Sequence, residues 1–324
     1  MSDPCEIIFY EHEYLGSHTG ILKTLEDTVK QSIKNGYYNI QIFLGSSYSL
    51  KRRNISHDDI EKTNKLLKYN NINIFTHIPY VYNLAGSVKE NCFCWNQTKI
   101  GENNDVIRGQ VPVEQKVDNY VLECLKSIEY ELEIIDKLDC KVKGCVIHIG
   151  SSGKLSSIEG LKRVAESINK INFNNIKSCK LLLETMVGRG GVLGRTFDEL
   201  KQVYDLIENK DRIGFCIDTC HVFSEGLYDL RKKDEIDKMF NDFDKVFGIN
   251  KLELIHLNDS KTQFNSKQDR HERIGRGEIF KNIKSLQYLL KKINDYKISS
   301  VLETVEEDYD IIQQSWNNVC SSIK

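Results

Sequence analysis

This chain contains no run of ~18 apolar residues, the length a membrane-crossing helix needs. It also lacks an excess of either charge. Its 45 Lys and Arg nearly balance 47 Asp and Glu, for a net charge of -2 and a pI near 6.5. No global field attracts polyanions, so contact with nucleic acid requires a local basic face or bound metal. The 10 cysteines include no C-x-x-C pair. Cys145, Cys216 and Cys220 lie in or beside apolar runs, which reads as small buried thiols in a reducing compartment rather than a disulfide framework. Met1 to Glu6 shows no basic segment leading into an apolar one, so no signal peptide is expected. A soluble, intracellular protein without membrane contact is expected, with cytoplasm, nucleus and virion all compatible.

What is present is an alternation of short apolar runs and amphipathic segments. Strands are predicted at 6–10, 40–44, 72–76, 142–147, 181–183, 213–217, 252–257 and 298–302. Helices are predicted at 21–35, 57–69, 117–138, 157–171, 196–207, 234–247, 279–293 and 308–319. Eight β-α units with strands apolar on both faces predict a closed parallel (β/α)8 TIM barrel, an α/β fold whose chemistry sits at the C-terminal strand ends. Such barrels commonly run to ~250 residues or more as one unit, and one domain over 1–324 is expected. Residues 84–115, with Gly86, Asn91, Asn96, Asn103, Asn104 and Pro112, read as one long inserted loop after the third strand.

His77, His148, Glu184, Asp218 with His221, His256 and Glu303 all fall at the ends of the predicted strands, and Asp269 and His271 follow in a loop. A lone histidine after an apolar run is ordinarily a core residue, and a lone Asp there ordinarily caps the next helix. Nine such side chains at one mouth of one barrel are better explained as ligands. A buried carboxylate needs a cation or a strong donor, and imidazoles converging with carboxylates form the ligand set of zinc or manganese. In Asp269-Arg270-His271-Glu272-Arg273-Ile274-Gly275-Arg276, an extended backbone puts Asp269 and His271 on one side. Arg270, Arg273 and Arg276 add charge for phosphate contacts. One zinc takes three or four protein ligands, so nine suit two or three ions. Clustered divalent ions favour in-line displacement at a phosphodiester.

The segments Gly16-Ser17-His18, Thr76-His77-Ile78-Pro79-Tyr80, His148-Ile149-Gly150, Leu183-Glu184-Thr185, Gly188 to Gly194, Cys216-Ile217-Asp218-Thr219-Cys220-His221, His256-Leu257-Asn258-Asp259-Ser260-Lys261, Asp269-Arg270-His271 and Leu302-Glu303-Thr304 resemble, in order, the endonuclease IV family of zinc-dependent apurinic/apyrimidinic endonucleases. The resemblance covers nearly the whole chain from about residue 14. It implies a TIM barrel with three zinc ions per chain. His77, His148 and Glu184 would hold the first, Glu184, Asp218, His256 and Glu303 the second, and His221, Asp269 and His271 the third. It further implies a metal-bridging hydroxide that attacks the phosphate 5′ to an abasic site in duplex DNA, oriented by the catalytic residues Glu303 and Glu184. The products would be a 3′-hydroxyl and a 5′-deoxyribose phosphate, with 3′-end trimming as a side activity. Tyr80 and Val81 fall where the family wedges side chains into the duplex, and Lys51, Arg52, Arg53 and Arg270 are further DNA-binding candidates. A monomer is the simplest expectation.

The chain departs from the family at several positions. After the second strand, the family's Asn-Pro-Arg-like stretch is Ser46-Ser47-Tyr48, which puts an aromatic in place of an arginine. Ile149 replaces a proline, and Asn265-Ser266-Lys267 replaces Gly-Ser-Arg. No metal ligand is lost. A two-metal sugar isomerase or epimerase of the related barrel group is the alternative reading, and it leaves Asp269-Arg270-His271 unexplained. A catalytically silent DNA-binding protein is a third, and full retention of the ligands argues against it.

Overall fold

The structure is a computed structural model and describes residues 14–86, 99–100, 106–107, 113–304, 314 and 317. Eight strands form one parallel sheet in chain order: β1 (Gly16–His18), β2 (Asn39–Ile42), β3 (Asn73–His77), β4 (Lys143–Ile147), β5 (Lys180–Glu184), β6 (Ile213–Asp218), β7 (Leu252–His256) and β8 (Ser299–Val301). A parallel bridge between Ser17 and Leu302 joins the first strand to the last, so the sheet closes into the expected TIM barrel. The strand predicted at 6–10 lies outside the described residues. The barrel's first strand is instead Gly16–His18, three residues placed by closure rather than by an apolar run. The His18 N–H donates to the Leu302 carbonyl at 2.6 Å, and the Leu302 N–H donates to Gly16 at 3.1 Å.

The helices on the outside begin where polar side chains cap them. In α1 (Leu25–Lys34) the Thr24 hydroxyl accepts from the Asp27 N–H, and in α2 (His57–Asn70) Ser56 accepts from Asp59. A long α3 (Val113–Asp136) leads into β4. Ser156 and Glu159 make a reciprocal capping box at α4 (Ser157–Ile168). Thr196 caps α5 (Phe197–Leu206), and Asp218 caps the short α6 (Thr219–Ser224). α7 (Lys233–Phe247) ends at Gly248, whose φ of 83° suits glycine. The helix predicted from 279 starts later, as α8 (Ile283–Tyr296), because Asn282 caps it and Asp259 takes the N–H groups of Ile279 and Phe280. The stretch 84–115 contains a two-stranded antiparallel ribbon, Lys99–Ile100 with Val106–Ile107, and α3 already begins at Val113. Its remaining residues beyond Gly86 lie outside the described residues. So does the predicted 308–319 helix, apart from helical positions 314 and 317. No helix among the described residues is long and apolar enough to cross a membrane.

Inside the barrel, Phe75, Val146, Leu182, Cys216, Leu254 and Val301 pack as one cluster of buried side chains. Residues two apart on a strand share a face. Adding two to each number therefore gives His77, His148, Glu184, Asp218, His256 and Glu303, the next layer up at the C-terminal mouth. The apolar plug is the floor of the site. Leu182→Ala would open a cavity in that floor, and the unfolding free energy is expected to fall by about 2–5 kcal/mol in a denaturant titration.

Candidate metal centre

The structure brings all nine predicted ligands together in three groups, the first two sharing Glu184: His77 with His148 and Glu184; Glu184 with Asp218, His256 and Glu303; and His221 with Asp269 and His271. Within each group the ligand atoms lie within 4.8 Å of one another. Glu184 is fully buried and divides its two oxygens between the first two groups. Oε2 lies 3.2 Å from His77 Nε2 and 2.9 Å from His148 Nε2, while Oε1 lies 3.0 Å from His256 Nδ1. Asp218 also serves two partners. Its Oδ1 accepts from the His221 N–H at 3.0 Å as the α6 cap, and its Oδ2 lies 3.4 Å from His271 Nε2 and 3.8 Å from His256 Nδ1. The cap and the candidate ligand position, which looked like rival roles in the sequence, fall to different oxygens of one carboxylate.

The residues fit a set of cations on three counts. First, two histidines are fixed in the ligating tautomer. His77 Nδ1 donates to the Ile78 carbonyl and His221 Nδ1 to that of Thr185, both at 2.7 Å, so Nε2 is left facing the cluster. Second, the Nε2 atoms of His221 and His271 are buried without a hydrogen-bond partner. The Asp269 carboxylate is 3.2 Å from each but out of line for a hydrogen bond. A buried polar atom without a partner is costly, and a shared cation would satisfy all three groups. Third, the charges favour positive occupancy. Burial raises the Glu184 carboxyl, but His148 and His256 more than reverse this and hold it well below the usual range. Burial lowers His271, and Asp218 then lifts it to about 9. Asp269, raised by burial, is brought down to about 2 chiefly by His221. Cys220 groups with Asp218 and His271 as well. Burial pushes its thiol up to about 12, which leaves little of the thiolate a metal needs.

Two further residues hold the carboxylates in place, and neither was singled out from the sequence. Gln41 donates through Nε2 to Glu303 Oε1 at 2.9 Å, and its Oε1 lies 2.8 Å from His256 Nε2. The Asn258 amide donates to Asp218 Oδ2 at 2.7 Å and to Glu303 Oε2 at 3.0 Å. A glutamine inside the apolar run of β2 was the signal for the first. The Asn258→Leu variant would free both carboxylates from one donor, and metal affinity is expected to fall about 10- to 100-fold, measured by competition with a chromogenic chelator.

The residues proposed for nucleic-acid contact separate into two sets. Tyr80 is 43% exposed and leans over the first group, its ring 5.2 Å from that of His77 and 5.3 Å from that of His148. Val81 is half-buried against the core. Lys51 and Arg270 are exposed. Arg52 and Arg53 do not project as a basic run. The Arg52 side chain is buried, its Nη1 3.2 Å from the fully buried Glu131, and this ion pair removes it from any contact surface. Arg53 donates to the carbonyls of Leu22 and Lys23 ahead of α1. Burial lifts the Glu131 carboxyl to about 7 against the pull of Arg52. Arg52→Met would leave that carboxylate alone, costing about 3 kcal/mol or more in stability. A group whose folded pKa is raised loses stability as pH rises toward that value. The variant's deficit in thermal melts is therefore expected to be smaller near pH 5 than above pH 7.

A cavity of about 420 Å³ opens over the cluster, lined by Tyr48, Tyr80, Met186 and six of the nine ligands. Carboxylates and imidazoles gathered at the mouth of a closed barrel place the chain among the xylose isomerase-like TIM barrels, and the family so described matches residues 121–318. The probable endonuclease 4 of Staphylococcus saprophyticus is 31% identical over 295 residues, covering 90% of this chain and 87% of that protein. The chain belongs to the endonuclease IV family. Two solved structures share the fold. Endonuclease IV from Thermus thermophilus has a TM-score of 0.71 at 20% identity, covering 95% of this chain and 99% of that one. A D-tagatose 3-epimerase-like protein has a TM-score of 0.63 at 17% identity, covering 96% and 100%.

Proposed function

We propose that this protein is a zinc-dependent apurinic/apyrimidinic endonuclease of DNA repair. It would act on duplex DNA as a monomer and cut the phosphodiester 5′ to an abasic site to leave a 3′-hydroxyl and a 5′-deoxyribose phosphate. The observation that carries the reading is the third group, His221, Asp269 and His271, set beside the two that share Glu184. A two-metal isomerase has no use for it. When bound, three zinc ions would supply water acidified toward neutral pH and charge stabilisation on the attacking and leaving oxygens.

The chain's own residues do the rest. Burial raises the Glu303 carboxyl, but His256 and His18 bring it well below its ordinary value, so it stands ionised at neutral pH and can orient an attacking water. Gln41 and Asn258 fix that carboxylate from two sides. Arg270 and Lys51, exposed near the mouth, supply charge for phosphates of the flanking strand. Tyr80 supplies an apolar face beside the ligands.

Zinc-loaded protein should nick a duplex carrying one tetrahydrofuran abasic analogue on its 5′ side. Glu303→Gln should slow that cut by about 10²–10⁴-fold while leaving duplex affinity nearly intact. Chelation should abolish the cut and added zinc restore it. Metal-loaded protein that leaves the duplex whole, or two manganese ions per chain with sugar epimerisation, would defeat the reading.

A further inference from the structure

Of the nine candidate ligands Asp269 is the most exposed, with 46% of its side chain in solvent. It lies on the loop after β7 rather than on a barrel strand. Its place before any ion binds depends on how that loop is tethered.

The turn just ahead of it is strained. Asn265 and Lys267 both take left-handed backbone, with φ of 64° and 59°, which side chains other than glycine's rarely adopt. The end of α6 holds them there. The Phe223 carbonyl accepts the Asn265 N–H at 3.2 Å, and the Ser224 carbonyl accepts the Lys267 N–H at 2.8 Å. Glu225, the residue that closes α6, takes the Lys267 ammonium on its main-chain carbonyl and, at 2.7 Å, on Oε1. Gly226 follows with φ of 78°, and a Cβ there would meet Asn265 Oδ1 at 2.5 Å, so only glycine lets the turn and the helix end close together.

Glu225 is only 6% exposed, a depth at which a carboxylate is rarely found unpaired. Its side-chain partners all lie on loops over the mouth. Besides Lys267, Oε2 accepts the Gly188 N–H at 3.3 Å, and Oε1 lies 3.9 Å from Arg195 Nη1, both in the loop after β5. The Glu225 N–H donates to the His221 carbonyl at 2.8 Å, one helical turn back. Helix and loop therefore run side by side with two rungs. One joins Glu225 to Lys267 at 2.7 Å, and the other sets His221 Nε2 3.2 Å from Asp269 Oδ2.

We propose that Glu225 is a positioning residue for the third ligand group: paired with Lys267, it latches the strained turn to α6 and so sets the spacing of Asp269 from His221. The proposal rests on the three-ion reading of the centre. Through Gly188 the same carboxylate registers this group against the loop that leaves Glu184. The Lys267 side chain is 34% exposed, so the pair adds little to global stability. Its release would instead let the turn relax away from the ion.

The test uses full-length protein stripped of metal and reloaded with zinc. Affinity is read by competition with a chromogenic chelator, and bound ions are counted after dialysis. Lys267→Met is expected to weaken one ion of the three about 10- to 100-fold, so that two survive dialysis, with the thermal melt of the apoprotein nearly unchanged. Lys267→Arg keeps the charge and should hold three ions as wild type does. Glu225→Gln should reproduce the loss; where it fails to fold, the two lysine variants decide. Three ions held as tightly in Lys267→Met, equal weakening of all three, or a loss that arginine does not repair overturns the latch while the nuclease reading stands. Wild-type protein that takes up fewer than three ions overturns both.

Discussion

Replacing Glu184 by glutamine is expected to lower strand cutting by about 10³-fold and to reduce bound zinc from three ions to two. The side chain keeps its volume, so the apolar floor beneath it is undisturbed and circular dichroism should not change. What goes is the charge that two groups of ligands share, since Oε2 serves His77 and His148 and Oε1 serves His256. The first group is then left with only His77 and His148 and should lose its ion, while the second keeps three ligands, Asp218, His256 and Glu303. The third group, His221 with Asp269 and His271, draws no atom from Glu184 and should retain its ion. Loss of several kcal/mol of charge stabilisation in the transition state corresponds to a rate factor of about 10³ or more. Metal analysis of the purified variant beside its nicking rate checks both parts. Three ions and an undiminished rate would remove Glu184 from the centre of the mechanism.

Glu184 could be singled out in the sequence because of the geometry of strands. A buried strand reads as an apolar run, and a polar residue at its end keeps the facing of the residue two before it. Leu182 and Glu184, Val146 and His148, and Leu254 and His256 each make such a pair, with the first member in the barrel plug. Seven of the eight predicted runs are barrel strands, and their polar ends mark its working face. Asp269 and His271 were legible for a different reason: their spacing on an extended segment puts both on one side, and the structure pairs them at 3.2 Å.

What stayed hidden depended on contacts distant in sequence. β1 is Gly-Ser-His, with no apolar signature, and its place is set by hydrogen bonds to Leu302 at the other end of the barrel. Lys51-Arg52-Arg53 reads as a solvated basic run until Glu131, 79 residues on, is seen to draw the middle guanidinium inward. The delayed start of α8 follows from Asp259, which no local pattern marks as the acceptor for N–H groups some twenty residues on. In each case a charged or polar group found its partner through the fold, and that information is absent from any window of adjacent residues.

Asp259 also carries the second large prediction. Its carboxylate is fully buried and accepts the N–H groups of Gly275 at 3.0 Å, Gly277 at 3.1 Å, Ile279 at 2.8 Å and its own neighbour Ser260 at 2.8 Å. Gly277 lies so close that a Cβ there would meet Asp259 Oδ1 at 2.4 Å. One side chain therefore gathers the return limb of the loop whose outward limb carries Asp269 and His271. Asp259→Asn keeps the shape but turns one acceptor into a donor, so it confronts either the pair from Gly275 and Gly277 or the pair from Ile279 and Ser260. Two unsatisfied buried N–H groups cost about 1–3 kcal/mol each. The barrel strands share none of these bonds, so the loss should appear as local opening of residues 269–280 rather than as global unfolding. The expected result is accelerated amide exchange confined to that loop, the third zinc lost while two remain, and cutting reduced about 10²-fold or more. Unchanged exchange in the loop together with three retained ions would mean that Asp269 and His271 are placed by contacts other than those Asp259 makes.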